Sequence, residues 1–290
     1  MRMPGAEILL PSTLLVVVLG LLASLGWGLG DFGGGLMSRR APVLGVLFTS
    51  QVASLSVGIP LLLLKPEPAM QPSDVVLSAI AGALGASGLA LLYRGLSVGR
   101  MTVVMPIAAM ITAALPVVFG FATQGIPSLL AIAGIVAAAT GVVLVSLSPA
   151  PSDGRPSGLW YGIVTGLLFG LFPIVMNGIS DDVLVSPVVA VRVASIVTVG
   201  ALILARRQPW RVPRSLWPAM LGIGLSDMLA TAAYLAALDV GPLAIAAVLT
   251  SLSNVVTVVM AALVLRERIT PIHAVGIVVA GAAVVLIALG

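Results

Sequence analysis

Groups suited to covalent or metal chemistry are scarce in this sequence. Its 290 residues include no cysteine and a single histidine, and only 8% of them are charged. The lack of cysteine excludes disulfides and thiolate metal sites. His273 belongs to no H-E-x-x-H pair, and the sequence contains neither a P-loop nor a paired-carboxylate motif. We therefore expect no enzyme, no metal centre and no cofactor.

Apolar residues, by contrast, make up 60% of the chain, and the mean hydropathy is +1.21. A soluble domain of this length does not have such a composition. Apolar stretches long enough to cross ~30 Å of hydrocarbon follow one another, and in lipid such spans must be helical to satisfy their backbone hydrogen bonds. The sequence predicts an all-α integral membrane protein with ten transmembrane helices. They are expected at 14–37, 43–64, 75–93, 101–121, 129–147, 159–178, 183–205, 215–237, 242–265 and 272–289.

The cations are distributed unevenly between the joints that connect these helices. Eleven arginines lie in the joints after helices 1, 3, 5, 7 and 9, whereas the opposite side has only Arg2 and Lys65. Because lysine and arginine concentrate in cytoplasmic loops, both termini are expected on the extracytoplasmic side. The strong preference for arginine over lysine suggests a bacterial plasma membrane protein. The eleven residues are Arg39, Arg40, Arg94, Arg100, Arg155, Arg206, Arg207, Arg211, Arg214, Arg266 and Arg268.

The sequence also repeats itself with an offset of 142 residues. This offset aligns GIVAAATGVVLVSL, from Gly134, with GIVVAGAAVVLIAL, from Gly276. We interpret the chain as two five-helix repeats, 14–148 and 157–290, joined by a linker at 149–156. Because five is odd, the second repeat enters the membrane from the opposite face, so the repeats are inverted. Transporters use inverted repeats to build one site that opens to either face in turn.

The end of the second repeat resembles a known family. The run LTSLSNVVTVVMAALVLRERITPIHAVGIVVAGAAVVL, residues 249–286, resembles the end of an EamA-type repeat of the drug/metabolite transporter superfamily. Glu267 and Thr270 have the family's spacing, and LGWG at 25–28 looks like its opening helix. The resemblance implies a carrier of small metabolites, proton-linked or passive and often an exporter. It also implies a central cavity between the two five-helix halves.

Charged groups inside the predicted spans are the first candidates for a functional site, since a central Asp or Arg in a membrane helix costs roughly 2.5–3.5 kcal/mol. Asp227 lies near the middle of helix 8. Arg192 reaches a comparable depth if helices 7 and 8 are adjacent and antiparallel. A buried carboxylate can exchange a proton or pair with a substrate amine. The two residues therefore form either a structural ion pair or a substrate and proton site.

Weaker candidates accompany this pair. Asp31 lies in a glycine-rich part of helix 1, where we favour an ion pair with Arg39 and Arg40 over a role in the site. Uncharged polar groups either line a cavity or join helices through hydrogen bonds worth ~0.6–2 kcal/mol each. The uncharged candidates are Asn254, Asn177, Gln51 and Tyr234.

Prolines in helices 4 and 6 are a further feature of the spans. Pro106, Pro116 and Pro173 are expected to free backbone carbonyls inside the membrane, where carriers often place their sites, or else simply to bend the helices.

Together these patterns predict a secondary transporter that exports small polar metabolites or drugs by alternating access, with protons as a candidate coupling ion. The alternative is a membrane scaffold or a lipid-handling protein that transports nothing. The expected partners are a small-molecule substrate and membrane lipids, since basic joints attract anionic lipid. No nucleic-acid partner is expected, because orientation accounts for the arginines. The oligomeric state and the identity of the substrate stay open.

The predicted orientation can be tested by cysteine labelling, because the chain has no cysteine of its own. A cysteine in the joint after helix 6, Asp182→Cys, should react with a membrane-impermeant maleimide in intact cells. One in the joint after helix 7, Gln208→Cys, should react only after the cells are opened. The reverse pattern would contradict the orientation.

Overall fold

The computed structural model describes residues 12–98, 101–147, 158–265 and 270–290. Helices make up 85% of this described part, and it contains no strand. Several features of the sequence lie outside the described residues: the linker 149–156, Glu267, Arg2, Arg100, Arg155, Arg266 and Arg268.

The helices follow one another through short joints. They are α1 (Ser12–Ser38), α2 (Val43–Leu64), α3 (Pro72–Val98), α4 (Met101–Gln124), α5 (Leu129–Ser146), α6 (Leu159–Met176), α7 (Val185–Arg206), α8 (Trp217–Val240), α9 (Leu243–Ser251), α10 (Ser253–Leu265) and α11 (Pro271–Leu289), with a short 3₁₀ helix, Arg214–Leu216, before α8.

Ten segments of the described chain are long and apolar enough to cross a membrane, which confirms the all-α membrane fold with ten spans. Eight lie within single α-helices, Arg214–Val240 consists of the 3₁₀ helix and α8, and Leu243–Leu265 consists of α9 and α10. Polar caps set some of the ends. Ser128 accepts a hydrogen bond from the Ala131 N–H at the start of α5, and Thr270 accepts one from the His273 N–H at the start of α11.

The span that breaks contains no proline. α4 continues through Pro106 and Pro116, and α6 continues through Pro173, so none of these prolines ends its helix. The break lies at Leu252, whose N–H bonds to the carbonyl of Leu249 at 3.2 Å in a single tighter turn. Every residue of α9 is buried, whereas no residue of α10 is. The two parts of this span therefore have different surroundings.

The joints lie alternately on two faces of the bundle. On one face, Thr13 and Gly290 line a groove of about 200 Å³ together with Pro242. On the opposite face, Trp210 packs against Phe48 with ring centroids 5.8 Å apart. We call the first the terminal face, with joints 65–71, 125–128, 177–184 and 241–242, and the second the arginine face, with joints 39–42 and 207–216.

Helix contacts follow the pattern of the predicted repeat. α1 packs on α8 as α6 packs on α3, and α9 and α10 pack on α1 as α4 packs on α6. A Cβ on Gly134 would lie 2.6 Å from Cγ1 of Ile287, and one on Gly276 would lie 2.8 Å from Cγ2 of Val145. Gly276 and Ile287 stand 142 positions after Gly134 and Val145. The same close contact recurs with the two halves exchanged, which supports the predicted duplication.

A carboxylate of the first half fastens the terminal face to the second half. Glu67 accepts hydrogen bonds from the N–H groups of Leu184, Val185 and Ser186 at 2.8–3.1 Å and from the Ser186 hydroxyl at 2.7 Å. These N–H groups begin α7 and have no partner within the helix, so Glu67 caps it. Burial acts to raise the pKa of Glu67, but the hydrogen bonds outweigh it and hold the pKa below its ordinary value.

Two more polar contacts join the halves on the terminal face. Asp74 is only 1% exposed and accepts hydrogen bonds from the N–H and the hydroxyl of Ser180, both at 3.1 Å. Gln124, at the end of α4, accepts a hydrogen bond from the Leu243 N–H at 2.8 Å and donates one to Oδ1 of Asn177 at 3.3 Å. The terminal face is therefore closed by contacts between the first half and the second.

The contribution of the Glu67 cap can be measured through its charge. We expect Glu67→Gln to lower the free energy of unfolding by about 1–2 kcal/mol at pH 7, because a neutral amide caps a helix less well. A carboxylate whose pKa is lowered by folding stabilises above its ordinary pKa of ~4.3, and this stabilisation is lost as the pH falls through the lowered value. Thermal unfolding in detergent should therefore separate variant and wild type at pH 7 and show them converging below about pH 4.

The matched control is Asp182→Asn, which neutralises an exposed carboxylate of the same face and should leave the unfolding temperature unchanged. Equal stability of Glu67→Gln and wild type at pH 7 would show that the cap contributes nothing.

Candidate functional site

Four polar side chains from three helices meet inside the bundle. Nη1 of Arg192, on α7, donates to Oδ2 of Asp227 at 2.5 Å and to Oε1 of Gln51 at 3.1 Å. Its Nη2 donates to the backbone carbonyl of Asp227 at 3.1 Å and to the hydroxyl of Thr231. Gln51, on α2, also donates to Oδ2 of Asp227 at 3.0 Å. We call Gln51, Arg192, Asp227 and Thr231 the polar network.

Helical spacing and small residues explain how these groups come together. Asp227 and Thr231 are four residues apart on α8, so their side chains lie on one face of that helix. One turn earlier, a Cβ on Gly224 would lie 2.5 Å from the carbonyl oxygen of Ser50, so only glycine allows α2 to approach this closely. The close approach brings Gln51 within hydrogen-bonding distance of Asp227.

The network compensates an almost fully buried cation. The Arg192 side chain is 5% exposed, and the carboxylate of Asp227 and three further acceptors surround its terminal nitrogens. The Asp227 side chain is 21% exposed, and no described residue donates a hydrogen bond to its second oxygen, Oδ1. The arginine is therefore enclosed, whereas one side of the carboxylate is open.

The repeat assigns a depth to this network. Cβ atoms on Gly82 and Gly224, which are 142 positions apart, would lie against the carbonyls of Val191 and Ser50, which are 141 apart. The offset between α2 and α7 is therefore one residue shorter, and Arg192 in the second half corresponds to Gln51 in the first. Arg192 and Gln51 are joined by a hydrogen bond. When a two-fold axis exchanges two residues that touch each other, the axis must pass between them. Under the predicted inverted repeat the axis runs in the membrane midplane. The inverted repeat thus predicts that the network lies near the middle of the membrane.

Asp31 faces the interior of the bundle close to this network. Exposed leucines at 22, 25 and 29 mark the outer side of α1. Asp31 follows Leu29 by two residues, about 200° around the helix, and so points away from that side. Asp31 is nevertheless an exposed residue, although many protein atoms surround its carboxylate and the carboxylate of Asp227 repels it. Asp31 therefore borders a space inside the bundle.

The expected pairing of Asp31 with Arg39 and Arg40 is not found, because Asp31 has no ion pair or hydrogen bond with any described residue. Both arginines follow the end of α1 and lie more than two helical turns beyond Asp31 along the chain. The charged group that acts on Asp31 is Asp227.

Three aromatic rings close the terminal side of this space. Trp27 on α1 lies 5.5 Å from Tyr234 on α8 and 5.9 Å from Phe172 on α6, measured between ring centroids. Tyr234 is fully buried and donates its hydroxyl to the carbonyl of Pro173 at 3.5 Å. Tyr234 stands seven residues beyond Asp227, about 10 Å nearer the terminal face. The rings therefore separate the network from that face.

The remaining candidates lie farther from the network. Asn254 begins α10 just after the break and donates to the carbonyl of Ser251 at 3.3 Å. Asn177 ends α6 on the terminal face, where it bonds to Gln124 rather than lining the interior. Two grooves, of about 200 and 80 Å³, also lie at the terminal face. The chemistry of the network, rather than the volume of a groove, thus marks the candidate site.

Two residues that border the site were absent from the sequence-based set. Thr231 follows Asp227 by four residues and Trp27 precedes Asp31 by four, so helical spacing from each carboxylate was the available signal. The described residues contain no group of three or more His, Cys, Asp or Glu side chains that could hold a metal ion. The site therefore offers charge and hydrogen bonds as its means of binding.

Comparisons with known proteins agree with this architecture. Residues 156–289 match the model of the EamA-like transporter family, which confirms the resemblance found in the sequence. No curated protein matches the chain. A solved crystal structure superposes with a TM-score of 0.73 over 93% of this chain and 95% of its own, at 16% sequence identity. At that identity the superposition establishes a shared fold.

The ion pair can be tested by removing one or both partners. We expect Arg192→Met to cost about 3–5 kcal/mol of stability, because it leaves the carboxylate of Asp227 without compensation, and the double variant Arg192→Met with Asp227→Leu to recover most of this loss. Unfolding in detergent measures both effects. Arg206→Met, which removes an exposed arginine from the same helix, is the control and should be neutral. A single variant as stable as wild type would show that the pair is not compensating a buried charge.

Proposed function

We propose that this protein is a secondary transporter of a small polar molecule, because residues 156–289 match the EamA-like transporter family of the drug/metabolite transporter superfamily. The observation that carries the proposal is the polar network, an ion pair with one open carboxylate side, built between helices of both halves. Gln51 comes from the first half, and Arg192 and Asp227 come from the second. Movement of the halves against each other must change the two hydrogen bonds that Gln51 makes to Arg192 and Asp227.

Alternating access requires that one face be closed while the other gives access to the site. The terminal face has the closed arrangement, with Glu67, Asp74 and Gln124 joining the halves and three rings below them. Toward the arginine face, α10 has no buried residue, whereas α9 on the terminal side is entirely buried. These features favour entry of substrate from the arginine face.

We propose export as the direction of transport. The arginine face is the cytoplasmic one under the orientation predicted from the charge distribution. A substrate that enters there and leaves through an opened terminal face is exported. Release would require the contacts of Glu67, Asp74 and Gln124 to separate.

Protons are proposed as the coupling ion because Asp227 holds Arg192 by charge. Binding of a proton to this carboxylate cancels the charge that attracts the guanidinium. Rupture of the ion pair and protonation are therefore linked, and a pH gradient could drive the change between the two arrangements.

The test is transport by purified protein in liposomes with a pH gradient imposed, using a mixed panel of amino acids, amines and sugars. Wild type is expected to move one compound class in a gradient-dependent way. Asp227→Asn should reduce this movement at least tenfold, while the exposed control Asp182→Asn should not. Retention of full transport and of its pH dependence by Asp227→Asn would remove the proton role. No movement of any compound by well-folded protein would overturn the proposal in favour of a scaffold or lipid-handling role.

A further inference from the structure

The charges that border the interior space do not balance. Asp31 and Asp227 are two carboxylates that repel each other, and Arg192 is the one cation that contacts either of them among the described residues. With all three ionised, the site has a net charge of one negative unit. In an interior of low dielectric constant, such an excess favours binding of a single positive charge.

Arg192 has little capacity left for an anionic ligand. Its two terminal nitrogens already donate to Asp227, Gln51 and Thr231. Nε is the one nitrogen of the guanidinium without an acceptor, and it is buried. A carboxylate substrate would have to displace Asp227 from the guanidinium and would add a third negative charge beside Asp31. The arrangement therefore disfavours anions.

The open acceptors, by contrast, belong to the two carboxylates. Asp31 has no hydrogen-bond partner in the described part of the chain, and Oδ1 of Asp227 has none either. The packing of α1 on α8 sets these groups near each other: a Cβ on Gly26 would lie 2.8 Å from both Ala230 Cβ and the Ser226 carbonyl. A Cβ on Gly33 would lie 2.9 Å from Cγ1 of Ile223, so in these antiparallel helices Asp31 lies about one helical turn nearer the arginine face than Asp227.

An aromatic ring stands on the same side of α1. Trp27 precedes Asp31 by four residues, so both side chains lie on one face of the helix. Trp27 is half-buried, and its ring centroid lies 5.9 Å from that of Phe172 and 5.5 Å from that of Tyr234. A Trp face attracts cations, and it does so more strongly when they are desolvated.

These groups suit an organic cation better than a metal ion. A hard cation such as calcium takes 6–8 oxygen ligands. The site offers the two oxygens of Asp31 and one of Asp227, and the described residues form no cluster of three or more metal-binding side chains. An ammonium group needs only a few acceptors and gains from an adjacent aromatic ring.

Resting on the proposed transport function, we infer that the substrate is a compact organic molecule with one positive charge. Its ammonium group binds between Asp31 and the open side of Asp227, with Trp27 against its apolar part. Asp31 is thus a substrate-binding residue, and the ion pair of Arg192 with Asp227 orients the second carboxylate.

Binding to purified protein tests this inference separately from transport, with butylamine, butanol and butyrate as probes of similar size that differ in charge. Wild type is expected to bind butylamine at least tenfold more tightly than butanol, and butyrate least. Asp31→Asn should weaken butylamine binding at least tenfold, Asp182→Asn should not change it, and Trp27→Leu should weaken it severalfold while Trp27→Phe retains it. Equal binding of amine and alcohol, or unchanged binding by folded Asp31→Asn, would overturn the inference.

Transport distinguishes failure of this inference from failure of the proposed function. Liposomes are offered choline, which has one positive charge, and betaine, which has the same trimethylammonium group with a carboxylate added. Movement of choline but not betaine supports the inference. Movement of betaine, of sugars or of anions without choline overturns it and leaves the transport function standing. Binding of butylamine with no movement of any compound overturns the transport function instead.

Discussion

A guanidinium in the middle of a membrane protein has to be surrounded by acceptors, because neither lipid nor an apolar core can solvate it. The two terminal nitrogens of Arg192 meet this requirement through Gln51 on α2 and through Asp227 and Thr231 on α8, while Nε has no acceptor among the described residues. The positions of three helices therefore depend on one buried charge. The same requirement explains the glycine at position 224, because a larger residue there would move α8 away from α2 and so from Gln51.

The compensation is incomplete on one side, and function is expected there. Asp227 uses one oxygen for Arg192 and leaves the other open, and Asp31 adds a second carboxylate without a partner in the described chain. On the terminal side, the Trp27 cluster and the contacts of Glu67 and Asp74 close the bundle. The candidate site thus lies on the inner side of the contacts that fasten the terminal face.

Some parts of the site could be predicted because a charge inside a membrane span is rare enough to stand out. Asp227 and Arg192 were found in this way, and simple rise along the helix matched their depths. The environment of Asp31 could not be predicted in this way, because the depth of a residue does not tell in which direction its side chain points around the helix. Asn177 likewise has a polar side chain in an apolar stretch, yet it lies at a helix end on the terminal face.

By itself, the sequence determined the ten membrane spans and the residues that carry charge into them, because the free energy of transfer into lipid depends on composition and length. Tertiary structure decided which side chains meet, because this depends on the rotation of each helix and on which helices pack together. It also shows where a span breaks: one helix is interrupted at Leu252, while α4 accommodates two prolines without interruption.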